Sequence, residues 1–158
     1  MTQSTFKALV TTALLALGGT AAYNSTAHAL APTPEVYVVM FTADWCAPCR
    51  IVEPRLNQAL LTLNDPGIEY VSIDISKGNG DLNAHTVFDR GLVPQYNRWL
   101  GVTGFAAIVD GDTKQTLGCV NLTYDTQSMT AHIKNLKTFA IANAPSFDVT
   151  CPAPNNPS

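Results

Sequence analysis

Apolar positions along this chain change period several times, and each change marks an element. Val36 to Thr42 (Val-Tyr-Val-Val-Met-Phe-Thr) is a β-branched and aromatic run bounded upstream by Pro32 and Pro34, which predicts a buried strand. From Cys49 the spacing lengthens, and Val52, Leu56, Ala59, Leu60 and Leu63 recur at helical intervals. Asn64-Asp65-Pro66-Gly67 is a dense turn signal, after which Ile68 to Ile75 predicts a second strand. Strand, helix and strand in this order imply a parallel, right-handed crossover. Phe105 to Val109 and Gln115 to Val120 flank Asp110-Gly111-Asp112 and predict a β-hairpin. Met129, Ile133, Leu136 and Ala140 space out a last amphipathic helix, with Asp125 near its start and Pro145 past its end. In the long connection Ser76 to Thr103, Lys77-Gly78-Asn79-Gly80-Asp81 reads as loop. Parts of Leu82 to Leu100 read as helix, broken at Gly91 and Pro94. The expected class is α/β, a central mixed sheet of about four strands flanked by helices, with a helical insertion over about residues 77–100 before the third strand.

The two ends of the chain have a different composition. Lys7 precedes an apolar, small-residue stretch from Ala8 to Ala22, and Ala27-His28-Ala29 has the small-x-small form of a cleavage site. This predicts a secretory signal over residues 1–29, cut near Ala29, and a periplasmic or secreted mature chain. The apolar stretch is shorter than the roughly 20 residues a membrane span needs and contains Gly18-Gly19, so stable membrane insertion is not expected. Residues 30–143 suffice for one domain, and residues 144–158 form a tail with four prolines. Without Lys7 the mature chain carries 8 basic against 12 acidic residues and no basic stripe, which argues against nucleic acid as a partner.

Cys46, Cys49, Cys119 and Cys151 all lie after the cleavage point. An even count in an exported chain permits disulfides. Residues 41–50 read Phe-Thr-Ala-Asp-Trp-Cys-Ala-Pro-Cys-Arg, so a Cys-x-x-Cys opens the first helix. Free amides and the helix dipole there stabilise a thiolate, the reactive form of cysteine. A static clip across so small a loop adds little stability, which favours redox use of the pair. His85 and His132 show no paired spacing and there is no second Cys-x-x-Cys, so neither a metal site nor a bound cofactor is expected.

Phe41, Ala43, Trp45, Cys46, Cys49 and Pro54 together resemble the thioredoxin family, in which an aromatic-x-Ala-x-Trp-Cys-x-x-Cys run closes a strand and the next helix carries a proline. The resemblance covers about residues 35–143 and implies the minimal thioredoxin-like fold. Cys-Ala-Pro-Cys also resembles the exported reductases of the TlpA and ResA kind. The resemblance implies a thiol–disulfide oxidoreductase with Cys46 as exposed nucleophile and Cys49 as buried resolving thiol. Its partners would be exported proteins with thiols or disulfides, and a membrane electron donor if it is a reductant. Ala47 and Pro48 bring no side-chain donor, and Pro48 brings no amide hydrogen. The thiol should then titrate nearer the value of about 7 for thioredoxin than that of about 3.5 for DsbA, which leans towards a reductant.

Three positions depart from the resemblance. A buried aspartate expected six residues before the first cysteine is Met40, and its accompanying lysine is Tyr70. Asp44 or Glu53 could substitute through water. The cis-proline expected before the third strand falls at Ala106, or by an alternative alignment at Pro94. A cis bond before a residue other than proline costs about 2.5–4 kcal/mol, so the bond before Ala106 is expected to be trans. Trp45, Ala47, Pro48 and Ala106 would then shape the site surface. Cys119 is expected in the last strand near the site, paired with Cys151, joining a redox relay, or free. His132 is expected to face solvent. Two other functions compete: a dedicated assembly factor or adaptor serving one exported client, and a metal-delivery protein using both thiols.

Overall fold

β1 (Val36–Thr42) is flanked on both sides and covered on both faces, and this explains its unbroken apolar run. The computed structural model of the protein describes residues 33–77, 80–142 and 151–153. The expected signal segment and most of the tail lie outside the described residues. α1 (Cys49–Leu63) leads from β1 to β2 (Ile68–Asp74), which pairs parallel with β1 from Val36↔Ile68 to Thr42↔Asp74. α2 (Gly80–Phe88) and α3 (Val93–Trp99) fill the connection. β3 (Phe105–Asp110) then returns antiparallel on the other side of β1, and β4 (Thr116–Asn121) pairs antiparallel with β3. The strand order is β2-β1-β3-β4, and α4 (Thr126–Ile141) closes the domain. This is the expected α/β class, a mixed sheet of four strands flanked by helices with a thioredoxin-like fold.

Strand alternation splits the core into two layers. Val36, Val38 and Met40 face one side with Ala106, Ile108 and Val120, against Val52 and Leu56 of α1 and Met129 and Ile133 of α4. Tyr37, Val39 and Phe41 face the other with Ala107, Val109 and Cys119, against Val87, Leu92 and Trp99 of the insertion. Phe41 and Phe105 stack at 5.0 Å, and Trp99 meets both edge-on at 5.8 and 5.4 Å. Such pairs add about 0.5–1.5 kcal/mol each beyond their area burial.

Helix ends follow local chemistry. Asp125 caps α4 reciprocally: its carboxylate accepts from the Ser128 amide at 2.8 Å, and its own amide donates to Ser128 Oγ at 2.9 Å. Gly91, at φ +69°, separates α2 from α3. Pro94 does not break a helix as expected; it sits exposed in the first turn of α3, where a missing amide hydrogen costs nothing. β4 begins and ends one residue later than its apolar pattern suggests. A bulge between Ile108 and Val109 shifts the register there. Lys137 Nζ bridges Glu35 at 2.5 Å and Asp65 at 2.6 Å, joining the start of β1, the turn before β2 and α4.

The tail returns to the core. Cys119 and Cys151 form a disulfide with a Cα–Cα distance of 4.8 Å, and Trp99 Nε1 donates to the Pro152 carbonyl at 3.1 Å. Cys119 is not near the site as expected. It lies in the layer of α2 and α3, on the opposite side of the sheet from Cys46 and Cys49, because its strand neighbour Val120 takes the other face.

Candidate active site

β1 ends at Thr42, and the next seven residues swing the chain from sheet to helix. The Cys46 amide donates to the Ala43 carbonyl at 3.1 Å, which tightens this turn. Pro48 is the N-cap of α1 at φ −61°, already helical, and its carbonyl accepts from the Ile51 and Val52 amides. Across the gap, the Asp44 amide donates to Ser76 Oγ at 2.8 Å, and Ser76 Oγ donates to Asp74 Oδ1 at 2.6 Å. The loop carrying Trp45 is thereby pinned to the end of β2.

Cys46 and Cys49 form a disulfide with a Cα–Cα distance of 5.4 Å. The Cys49 amide donates to Cys46 Sγ at 3.1 Å. That amide is one of the unpaired donors at the start of α1, aimed where a Cys46 thiolate would carry its charge. Cys49 Sγ lies 3.7 Å from the Phe41 carbonyl oxygen, an acceptor for a reduced thiol. In this oxidised form both residues are buried, Cys46 at 2% and Cys49 at 3% exposure. Cys46 is therefore not the exposed member of the pair that the resemblance implies.

Gly104 approaches Pro48 and Cys46 closely. Its φ is +87°, its amide donates to the Phe41 carbonyl at 3.0 Å, and a Cβ placed there would fall 2.8 Å from Pro48 Cβ and 3.7 Å from Cys46 Sγ. Only glycine combines that backbone conformation with so close an approach. Trp45 is 61% exposed, and Ala47 and Pro48 are also at the surface. Ala106 is fully buried inside β3, opposite Met40 in register, so it packs beneath the pair and not around its mouth. The peptide bond before it is trans, as no described residue follows a cis bond. Pro94 lies in α3 and does not take the position facing the cysteines.

A groove of about 430 Å³ opens beside the two cysteines, with Asp44, Arg50, Glu53, Ser72 and Asp74 along it. Met40 is fully buried below, and half-buried Tyr70 stands on β2. Burial, and then the charge of Glu53, hold the Tyr70 hydroxyl above its ordinary value, so it stays protonated. Glu53 was discernible at four residues past Cys49, on the same helical face. Gly104 belongs to the run Gly101-Val102-Thr103-Gly104-Phe105 used to align Ala106, whereas Asp74, at the end of β2, carried no local signal. His132 is half-buried against the Tyr124 ring, at 5.3 Å between centroids, and does not face solvent as expected. Among the described residues no three His, Cys, Asp or Glu side chains converge as a metal site.

Known proteins match parts of this chain. The model of the family described as Thioredoxin matches residues 20–88. Thioredoxin H8 of Arabidopsis thaliana is 38% identical over 53 residues, 34% of this chain and 34% of that protein. Thioredoxin H2 of the same plant is 35% identical over 43 residues, 27% of this chain and 31% of that protein. The chain thus spans about a third of the length of the curated relatives it matches. Among solved structures, a thiol:disulfide interchange protein of the thioredoxin family from Chlorobium tepidum is 20% identical with a TM-score of 0.46, covering 66% of this chain and 81% of that one. Thioredoxin-2 of a malaria parasite is 15% identical with a TM-score of 0.45, covering 68% and 89%. The match to the thioredoxin family model thus spans residues 20–88, on a chain whose fold is thioredoxin-like.

Proposed function

We propose that the protein is an exported thiol–disulfide oxidoreductase in which Cys46 and Cys49 exchange disulfides with client proteins, working as a reductant. The observation that carries this reading is the pair itself: two cysteines bridged at the first turn of α1, with the Cys49 amide 3.1 Å from Cys46 Sγ. Cys46 attacks a client disulfide, a mixed disulfide forms, and Cys49 then attacks Cys46 and releases the reduced client. Pro48 supplies no amide to the sulfur, and Ala47 supplies no polar side chain. A thiolate with few donors is weakly stabilised, which favours the disulfide and lowers the reduction potential. Export rests on the signal-like pattern of residues 1–29, and a membrane electron donor would return electrons to the pair.

A Cys49→Ser variant tests this directly, because Cys46 can then form a mixed disulfide but not resolve it. Mass spectrometry should find several exported clients joined through Cys46, and a Cys46→Ser, Cys49→Ser double variant should hold none. One client only would favour the second reading, a dedicated adaptor with little turnover. The burial of Cys46 in the oxidised form supports that alternative.

A further inference from the structure

Trp99 stands between the C-terminal tail and the loop that faces Cys46. Its side chain is fully buried. Nε1 donates to the carbonyl of Pro152, the residue after Cys151, at 3.1 Å. Cys151 is itself bridged to Cys119 and packs against the same apolar layer as the indole. The tail is therefore fastened to Trp99 by a covalent bridge beside it and a hydrogen bond to it.

The loop begins where α3 ends. Leu100–Gly104 leads from Trp99 to β3. The Val102 amide donates to the Trp99 carbonyl at 2.9 Å, which fixes the first half of the loop. Phe105 follows its last residue, and the Phe105 ring lies 5.4 Å from the indole. The Gly104 amide donates to the Phe41 carbonyl, and the Phe41 ring meets the indole at 5.8 Å. Both ends of the loop are thus held at one side chain. Gly101 and Gly104, each at φ +87°, bend it, and a Cβ on Gly104 would fall 3.7 Å from Cys46 Sγ. Glycine backbone has little stiffness of its own, so the loop's place depends on its anchors.

We infer that Trp99 is a positioning residue: held by the bridged tail, it fixes the Leu100–Gly104 loop beside Cys46 and so limits attack on the Cys46–Cys49 disulfide. This rests on the redox reading above. With dithiothreitol as the attacking thiol, one thiolate bonds to Cys46 Sγ, the Cys46–Cys49 bond breaks, and the electron pair leaves on the Cys49 sulfur, which takes a proton. The second thiol of the reagent then displaces Cys46 and closes the oxidised ring, so the pair is reduced and the reagent oxidised. Cys46 is only 2% exposed in the bridged pair, so attack waits on a local opening. Removing one ordinary hydrogen bond from the closed form raises the open population roughly threefold to tenfold.

The test is the rate at which dithiothreitol reduces the Cys46–Cys49 bridge, read by alkylation and peptide mass, which separate it from the Cys119–Cys151 bridge. The Cys119→Ala, Cys151→Ser double variant leaves no third thiol and should react faster by that factor. Trp99→Leu should do the same, and combining the two changes should add little to either alone. Trp99→Phe keeps a ring beside Phe41 and Phe105 and loses the bond to Pro152, so its rate should fall between wild type and Trp99→Leu. As the mildest change it carries the test if the other variants do not fold. Lys137→Met removes the ion pairs to Glu35 and Asp65 at the other end of β1; it lowers stability without touching the loop and should react at the wild-type rate. The accelerations should not steepen with low urea, because a loop opening exposes little surface. Wild-type rates in the bridge and Trp99 variants, equal acceleration by Lys137→Met, or Trp99→Phe as fast as Trp99→Leu would overturn the inference. A wild-type pair that reaches no redox equilibrium with glutathione would instead overturn the redox reading.

Discussion

Breaking the bridge between Cys119 and Cys151 should destabilise the domain by an amount the structure allows to be worked out. The two cysteines are 32 residues apart in sequence. Closing a loop of that length removes about 12 cal/mol/K of entropy from the unfolded chain, about 3.7 kcal/mol at 25 °C. The tail also brings the Pro152 carbonyl to Trp99 Nε1, and losing that hydrogen bond adds about 1 kcal/mol. Cys151→Ser leaves Cys119 as a free thiol in an apolar layer, where it behaves as a small hydrophobe. Its cost should therefore be roughly 3.5–5 kcal/mol. Cys119→Ser places a hydroxyl at a fully buried position, and an unpaired buried hydroxyl costs a further 1–3 kcal/mol or so. Urea unfolding with the Cys46–Cys49 pair oxidised measures both, and the ordering Cys119→Ser below Cys151→Ser below wild type should be clear. A Cys151→Ser midpoint within about 0.5 kcal/mol of wild type would refute the reasoning, since it would mean that the bridge constrains nothing the unfolded chain could otherwise explore.

Gly104→Ala should destabilise the oxidised protein by about 1–3 kcal/mol, because φ +87° is strained for alanine and its Cβ would press on Pro48; urea unfolding reads this. Gly111→Ala should cost about 1–3 kcal/mol or more, since the new Cβ would fall 1.7 Å from the Pro34 carbonyl oxygen, a backbone atom. Gly67→Ala would press on the side-chain ends of Glu35 and Lys137, not on backbone, and should be milder in the same assay. Burial holds the His132 imidazole below its ordinary value near 6.5. The unfolded chain then binds that proton more readily, so this group contributes nothing above pH 6.5 and destabilises as pH falls below it. His132→Phe should flatten that part of the stability–pH curve. Asp65, held below its ordinary value by Lys137, should act separately: its stabilisation persists above about pH 3.8 and is lost as pH falls through its lower folded value.

β1 could be read from its β-branched and aromatic run after Pro32 and Pro34, and α1 from its helical spacing up to the turn sequence Asn64-Asp65-Pro66-Gly67. The faces of the sheet were less accessible. Whether Cys119 sits with Cys46 or across from it depends on strand register, and the bulge at Ile108 and Val109 changes register without an obvious residue signal. The resemblance implied an exposed Cys46, and a Cys-x-x-Cys carries no information about Gly104, 58 residues further on, which approaches it closely. Pro94 was ambiguous for a related reason: one proline suits a helix's first turn and a helix's end, and only its packing decides. His132 seemed to point outward from its place beside Ile133, yet Tyr124 leaves the preceding loop to meet it. In each case the deciding contact comes from a distant segment.

The most direct test of the account is a redox equilibrium of Cys46 and Cys49 against graded ratios of reduced and oxidised glutathione, followed by mass. A reversible two-electron transition with a potential below about −230 mV, in the range of thioredoxin, is the predicted result. A potential near −120 mV would contradict the argument from Ala47 and Pro48 and make the protein an oxidant. No reversible exchange at all would contradict the central claim and leave the fold as an adaptor.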